Sequence, residues 1–241
     1  MIITSLQNAK VKQWMRYHHR SEREKDQCFL VEGEHLVQEA YKAGLVLYTI
    51  QKIGSPLLFP DCMVYEVSDA ILKKIRMCTS GSDIMALCKY KESSSSIGEK
   101  VIMLDDVQDP GNVGTIIRTA LSFGYHSVIL SDHSVDLYNE KLIRSTQGAF
   151  FHMNVLRMDI TSMLLTLKQQ QYHIYATSLQ NAKPLSSISK MEKYVIIFGN
   201  EGKGIKDEIL ALSDTHVKIE MQTFESLNVA VAAGICMYYL Q

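Results

Sequence analysis

The chain lacks the marks of several common protein classes. Its five cysteines, Cys28, Cys62, Cys78, Cys88 and Cys236, are odd in number and scattered, with no C-x-x-C pair. That pattern excludes a disulfide framework or a cysteine-built zinc site and points to a reducing compartment. Eight histidines include no H-E-x-x-H helix, so no metal is expected. No apolar run approaches the ~20 residues needed to cross a bilayer. The N-terminal MIITSLQNAKVKQW carries no signal-peptide core, so a cytoplasmic protein without a membrane partner is expected. A formal charge of −1 creates no global field for nucleic acid, and any such binding must be local. No G-x-S-x-G elbow surrounds a serine, which argues against a serine hydrolase.

What is present divides unevenly. At 241 residues and 46% hydrophobic, the chain suits one large domain or two modest ones. The only low-complexity stretch, CKYKESSSSIGEK (88–100), reads as a linker, because four serines flanked by charges build no core. We therefore expect a small α/β unit over 1–90, a linker over 91–100 and a larger domain over 101–241. In the larger part, apolar runs predict strands over 101–104, 127–130, 173–178, 194–199 and 216–221. Helices are predicted over 113–123, 139–147, 160–171, 205–212 and 226–239. Such alternation defines an α/β fold, a mostly parallel sheet with helices on both faces. Ligands of such sheets sit beyond the carboxyl ends of the strands.

The N-terminal segment carries six Lys or Arg between Lys10 and Lys25, against Glu22 and Glu24. Val11, Trp14 and Met15 share one helical face, which leaves Lys12, Arg16, Arg20 and Arg23 for solvent. They form either an ordinary wet face or, together with Lys10, a phosphate contact. The heptapeptide TSLQNAK occurs at 4–10 and again at 177–183 with unrelated flanks, so it is no structural repeat. The first copy offers Ser5 or Asn8 as a helix cap.

Three runs fall at the expected ligand edge. In FGNEGKGI (198–205) a glycine loop follows an apolar strand and precedes a helix, which suggests a phosphate cradle. Yet Glu201 would repel phosphate and no Ser or Thr follows Lys203, so a neutral or cationic ligand fits better. In DPGNVGTIIRTALSFG, Asn112 is the expected helix cap. Arg118 stands alone on an otherwise apolar helix, where it needs an anionic partner or a ligand. In FESLNVAVAAGICMYYL, Ser226 and Asn228 open a helix whose small residues permit close packing.

Together these runs resemble the SpoU/TrmH branch of the SPOUT superfamily, S-adenosylmethionine-dependent RNA ribose 2′-O-methyltransferases. The matching motifs are Asn112 to Arg118, GNEGKG, and IEM…ESLNVAVAAG. The N-terminal SLQNAKVK…FLVEG is similar to that family's ribosomal-protein-like substrate-binding domain. The resemblance implies a C-terminal trefoil knot, a homodimer, S-adenosyl-L-methionine as cofactor and a structured RNA as partner, ribosomal RNA ahead of transfer RNA. It implies cofactor contacts at Thr177, Ser178, Gly199, Asn200, Gly202, Ile219, Met221, Leu227 and Asn228, largely through main chain. Catalysis would fall to Arg118, with Asn112, Glu201, Ser226 and Asn228 orienting it and the ribose. Lys10, Lys12, Arg16, Arg20 and Arg23 would grip RNA. Two departures stand out: Glu220 occupies a position where the family commonly has proline, and the segment up to Glu225 is shorter than usual. A non-catalytic RNA-binding or ribosome-assembly module, and a base rather than ribose methyltransferase, remain alternatives.

Overall fold

A computed structural model describes residues 1–77, 81–223 and 226–241, so Cys78 and Glu225 lie outside the described residues. The chain forms two compact units. One comprises Met1–Glu92 with Tyr138–Phe151, the other Ser93–Leu137 with His152–Gln241.

The first unit runs β1 (Ile2–Ile3), α1 (Ala9–Arg16), α2 (Arg20–Asp26), β2 (Cys28–Glu32), α3 (Glu34–Lys42), β3 (Val46–Lys52), β4 (Val64–Val67), α4 (Asp69–Ile75) and β5 (Ile84–Lys89). Its sheet has the order β1-β4-β3-β5-β2. Pairing is parallel among β1, β4 and β3 and antiparallel at β5. Asn8 caps α1, its side chain accepting from the Lys10 amide, as one of the two candidate caps required. Trp14 is fully buried with Val11, Ile71, Leu72 and Ile75. Its indole N–H donates to the Tyr48 hydroxyl at 3.0 Å, which satisfies the one polar atom that burial would otherwise strand.

Of the four residues expected to be solvated, Lys12, Arg16 and Arg20 are exposed and Arg23 is not. The basic segment forms two short helices, because the chain turns after Arg16. Arg23 is buried and its Nη1 donates to the carbonyls of Tyr17 and His18 at 2.7 and 3.0 Å. It closes the turn between α1 and α2, so it is not a solvent-facing cation. Arg16 pairs with Glu22 and Arg20 with Glu24. The Lys10 ammonium contacts Gln13 and lies 5.4 Å from the Tyr48 ring centroid. The segment Tyr138–Phe151 adds α6 (Glu140–Ser145), which packs on β2, and most of α7 (Ala149–His152).

The second unit contains β6 (Lys100–Asp105), α5 (Pro110–Ser122), β7 (Ser127–Leu130), β8 (Asn154–Arg157), α8 (Ile160–Gln169), β9 (His173–Thr177), β10 (Lys183–Pro184), β11 (Tyr194–Gly199), α9 (Asp207–Leu212), β12 (Thr215–Lys218) and α10 (Val229–Leu240). Seven strands pair in the order β10-β12-β9-β11-β6-β7-β8, and every pairing is parallel. The central strands β6 and β11 are apolar and buried throughout their middles, as a sheet covered on both faces requires. Val101, Met103, Val195 and Ile197 share one core with Leu164 and Leu167 of α8 and Ile209 of α9. On the other side α10 packs on α5 and β11. Gly234 of α10 faces Thr119, and an added Cβ would meet its methyl group in ordinary contact at 3.9 Å.

The end of α10 is held by phenols. The Tyr194 hydroxyl lies 2.8 Å from that of Tyr125 and 3.2 Å from the Leu240 carbonyl, and the Tyr125 hydroxyl donates to the Met237 carbonyl. Burial, above all, pushes the Tyr194 phenol up to about 12. The Leu240 carbonyl is one that a helix C-terminus leaves without an intrahelical partner, whereas the Met237 carbonyl also accepts from the Gln241 amide. Strand β8 and helix α7 were not expected from the sequence; β8 has only Val155 and Leu156 between polar residues and lies at the sheet's edge.

Candidate active site

The site is built where β6, β11, β9 and β12 end. At β11, Gly199 is dictated by space: a Cβ there would lie 2.2 Å from the Gly204 carbonyl carbon. The loop that follows closes on itself, Asn200 and Gly204 exchanging backbone hydrogen bonds of 3.0 and 2.9 Å. The Asn200 side chain shapes the rest. Its Oδ1 accepts from the amides of Gly202 and Lys203, and its Nδ2 donates 2.9 Å to the Asp106 carbonyl. Gly204 takes φ +73°, a conformation that glycine adopts without strain.

A residue that sequence reasoning did not single out ties down the far end. Asp105, at the end of β6, is fully buried, and its Oδ2 accepts from the Lys206 amide at 3.0 Å. Its Oδ1 lies 3.5 Å from the Lys206 ammonium. The glycine loop is thus fastened to the end of β6 on both sides, by Asn200 to Asp106 and by Lys206 to Asp105. The available signal was an acidic residue directly after the apolar run Val101–Leu104, a position that needs a partner.

Helix α5 begins earlier than expected. Asp109 is its cap, accepting from the Asn112 amide at 2.9 Å, with Pro110 in the first turn, a placement that suits a residue without an N–H. The expectation that Asn112 caps the helix is therefore corrected, and its side chain is free for another task. Its Nδ2 donates to Glu201 Oε1 at 3.0 Å, while its Oδ1 accepts from Asn228 Nδ2 at 3.0 Å. Asn228 caps α10, its Oδ1 accepting from the amides of Ala230 and Val231. That cap starts the helix three residues later than Ser226.

The orientation of both amides follows from chemistry. A helix cap needs an oxygen toward the helix, which turns the Asn228 NH2 outward; a carboxylate only accepts, which turns the Asn112 NH2 toward Glu201. Glu201, Asn112 and Asn228, one from each motif, form a continuous chain of hydrogen bonds. Glu201 has no cationic partner among the described residues.

Arg118 is not part of that chain. It lies on the exposed stripe of α5 with Thr115 and Ser122, and its guanidinium makes no ion pair or hydrogen bond among the described residues. The alternative of a structural ion pair finds no partner there. Ser226 is exposed, and Leu227 is exposed and apolar. Ile219 and Met221, beyond β12, are half-buried. The Thr177 hydroxyl donates to the Ile197 carbonyl and the Ser178 hydroxyl to the Gln180 carbonyl. With Asn200 they leave mainly main chain to face a ligand. Among the described residues no group of three or more His, Cys, Asp or Glu could hold a metal ion, and no helix is long and apolar enough to cross a membrane.

Comparison with known proteins identifies the family. Residues 99–238 match the SpoU rRNA Methylase family, and residues 8–86 match the MRM3-like substrate binding domain. The Bacillus subtilis 23S rRNA (guanosine(2553)-2'-O)-methyltransferase RlmP is 38% identical over 244 residues, covering 99% of this chain and 98% of that protein. A solved RNA 2'-O ribose methyltransferase superposes with TM-score 0.83 at 28% identity, covering 100% of this chain and 98% of its own. The AdoMet-bound rRNA methyltransferase from Sinorhizobium meliloti gives TM-score 0.86 at 25% identity, with 100% and 97% covered. The chain belongs to the SpoU rRNA methylase family.

Proposed function

We propose that the protein is an S-adenosylmethionine-dependent methyltransferase that modifies the ribose 2′-hydroxyl of a structured RNA, ribosomal RNA in particular. The observation that carries the reading is the Glu201–Asn112–Asn228 chain, which joins all three motifs beside the glycine loop. A binding-only descendant has no use for an ordered carboxylate and two oriented amides at that edge. Ribosomal RNA stands ahead of transfer RNA because the full-length relative from B. subtilis is named for 23S rRNA.

The donor set suits the cofactor. A carboxylate without a cationic partner tolerates a sulfonium, and side chains already bonded elsewhere suit recognition by main chain. Thr177, Ser178, Gly199, Asn200, Gly202, Ile219, Met221, Leu227 and Asn228 would hold it. When bound, S-adenosylmethionine supplies an electrophilic methyl group. The chain's own contribution is placement of the ribose, which alone lowers a barrier substantially, and stabilisation of charge on the 2′-oxygen as its proton departs. Arg118 is permanently protonated and serves as anchor for the target phosphate and partner for that developing charge. Asn112, Glu201, Ser226 and Asn228 orient the sugar beside it.

The 2′-hydroxyl makes the substrate RNA and not DNA. Residues 1–90 form the RNA-binding part in this reading. With Arg23 buried and Arg16 and Arg20 paired, Lys12 is its clearest phosphate ligand on α1, and Lys10 is half-engaged. A homodimer is supported by Leu227, Val231, Ile235 and Tyr238, exposed on or beside α10 at spacings that share a helix face. A trefoil knot is supported by β12 lying between the earlier β10 and β9. The free cysteines among the described residues support a cytoplasmic location. The test is methyl transfer to total RNA from cells lacking the protein, with the product mapped and hydrolysed to nucleosides. A 2′-O-methylated ribosomal nucleotide is expected; a methylated base, or no transfer, would defeat the proposal.

A further inference from the structure

Glu220 has no part in the chemistry proposed above, yet it is unusually well held. It lies two residues beyond β12, between the half-buried Ile219 and Met221, and is itself exposed. In extended chain, alternate residues face opposite sides, so the side chain of Glu220 leaves the side taken by its neighbours. It meets the 3₁₀ turn Leu185–Ser187, which follows β10, and Glu220 Oε1 accepts the hydroxyl of Ser186. The carboxyl is held below the usual carboxylate range, first by that hydroxyl, then by its own amide and those of Ser186 and Leu185. Ser186 is anchored from a second direction, since its carbonyl accepts from the Tyr239 hydroxyl of α10 at 3.0 Å. Strand pairing holds the two segments in register, Lys183 beside Val217 and Pro184 beside Lys218.

We infer that the Ser186–Glu220 bond is a positioning device for the methyl donor: it sews the segment after β12 to the crossover after β9, and so fixes the backbone of Ile219–Met221. This rests on the cofactor reading of that edge. The carboxylate is occupied at the rim, so its charge is not presented to the ligand. A rigid proline would restrain this backbone through φ; here a side-chain bond to a neighbouring turn does so. The device acts before binding, by reducing the ordering that the ligand must impose.

Calorimetric titration of the full chain with S-adenosylmethionine tests it. Ser186→Ala and Glu220→Ala are each expected to weaken binding about five- to tenfold, the size of one charge-assisted hydrogen bond at an exposed site. The double variant is expected to be no weaker than either single one, because both remove the same bond. Glu220→Gln, which keeps an oxygen to accept the hydroxyl, should stay within about twofold of wild type. In turnover the KM for the cofactor should rise, while kcat at saturation and affinity for RNA hold. Unchanged affinity in both single variants, or losses that add in the double, would overturn the inference. Ser186→Ala removes one exposed hydroxyl, so it decides the matter if Glu220→Ala fails to fold. Leu227→Ala separates the two readings. If it weakens binding while the Ser186 and Glu220 variants do not, the sewing role falls and the cofactor edge stands; if all leave affinity intact, both fall.

Discussion

The glycine loop Phe198–Ile205 and the basic segment Lys10–Lys25 are both dense in polar groups, and they use them in opposite ways. In the loop, structural work is done by main chain and by Asn200, Asp105 and Asp109, so that Glu201 and Asn112 are left facing a common edge. In the basic segment the arginines are engaged locally: Arg23 with two carbonyls, Arg16 and Arg20 with glutamates. Clustered charge is therefore a poor guide to a binding surface until partners are counted. A lone charge such as Arg118, amid apolar neighbours and without a partner among the described residues, is the sharper candidate to test.

The contrast can be broken most forcefully at Arg118. Arg118→Lys keeps the charge but loses the planar fork, and methyl transfer is expected to fall by about 10²–10³, with cofactor affinity in titration unchanged. Near-wild-type turnover would remove Arg118 from the chemistry. Asn112→Asp places a second carboxylate against Glu201 and removes the donor. Turnover should fall about 10–100-fold, and Asn112→Ala should fall by less, since it adds no repulsion. Gly199→Ala forces a Cβ into the Gly204 backbone and should destabilise by about 1–3 kcal/mol, read as a lowered chemical-denaturation midpoint. At the other region, Lys12→Ala should lower the slope of log affinity for RNA against log salt by about one. Arg23→Ala should leave that slope alone and lower stability by about 1–3 kcal/mol. An equal effect of the two substitutions on the salt slope would erase the distinction drawn here. The smallest expected effect is chemical: Cys236, its thiol pushed up to about 12 by burial, should resist alkylation of the native protein at pH 8 and react only after unfolding.

The parallel sheet was legible because its central strands are unbroken apolar runs, and β6, β7, β9 and β11 fall within a residue or two of expectation. Strand β8 was not, since Val155 and Leu156 alone carry no periodicity. Helix starts were misplaced by three residues at both α5 and α10, where two capable caps compete: Asp109 with Asn112, Ser226 with Asn228. At α5 the earlier residue caps, because Pro110 favours the first turn. At α10 the later one does, and Asn228 then links the cap to Asn112 in the candidate site. Glu201, Asn112 and Asn228 were recognisable as motif residues, but the bonds joining them span 89 and 116 positions and no local pattern encodes them. Asp105 did carry a local signal, an acidic residue ending an apolar run, but its partner Lys206 lies 101 positions away and could not be read from sequence.

The chain has a single tryptophan, and Trp14 is enclosed in the first unit, bonded to Tyr48 and edge-on to Tyr65. Its fluorescence is thus a native reporter confined to one half of the molecule. Denaturation followed by tryptophan emission and, in parallel, by circular dichroism will show, without any label, whether the first unit melts before the parallel sheet or together with it.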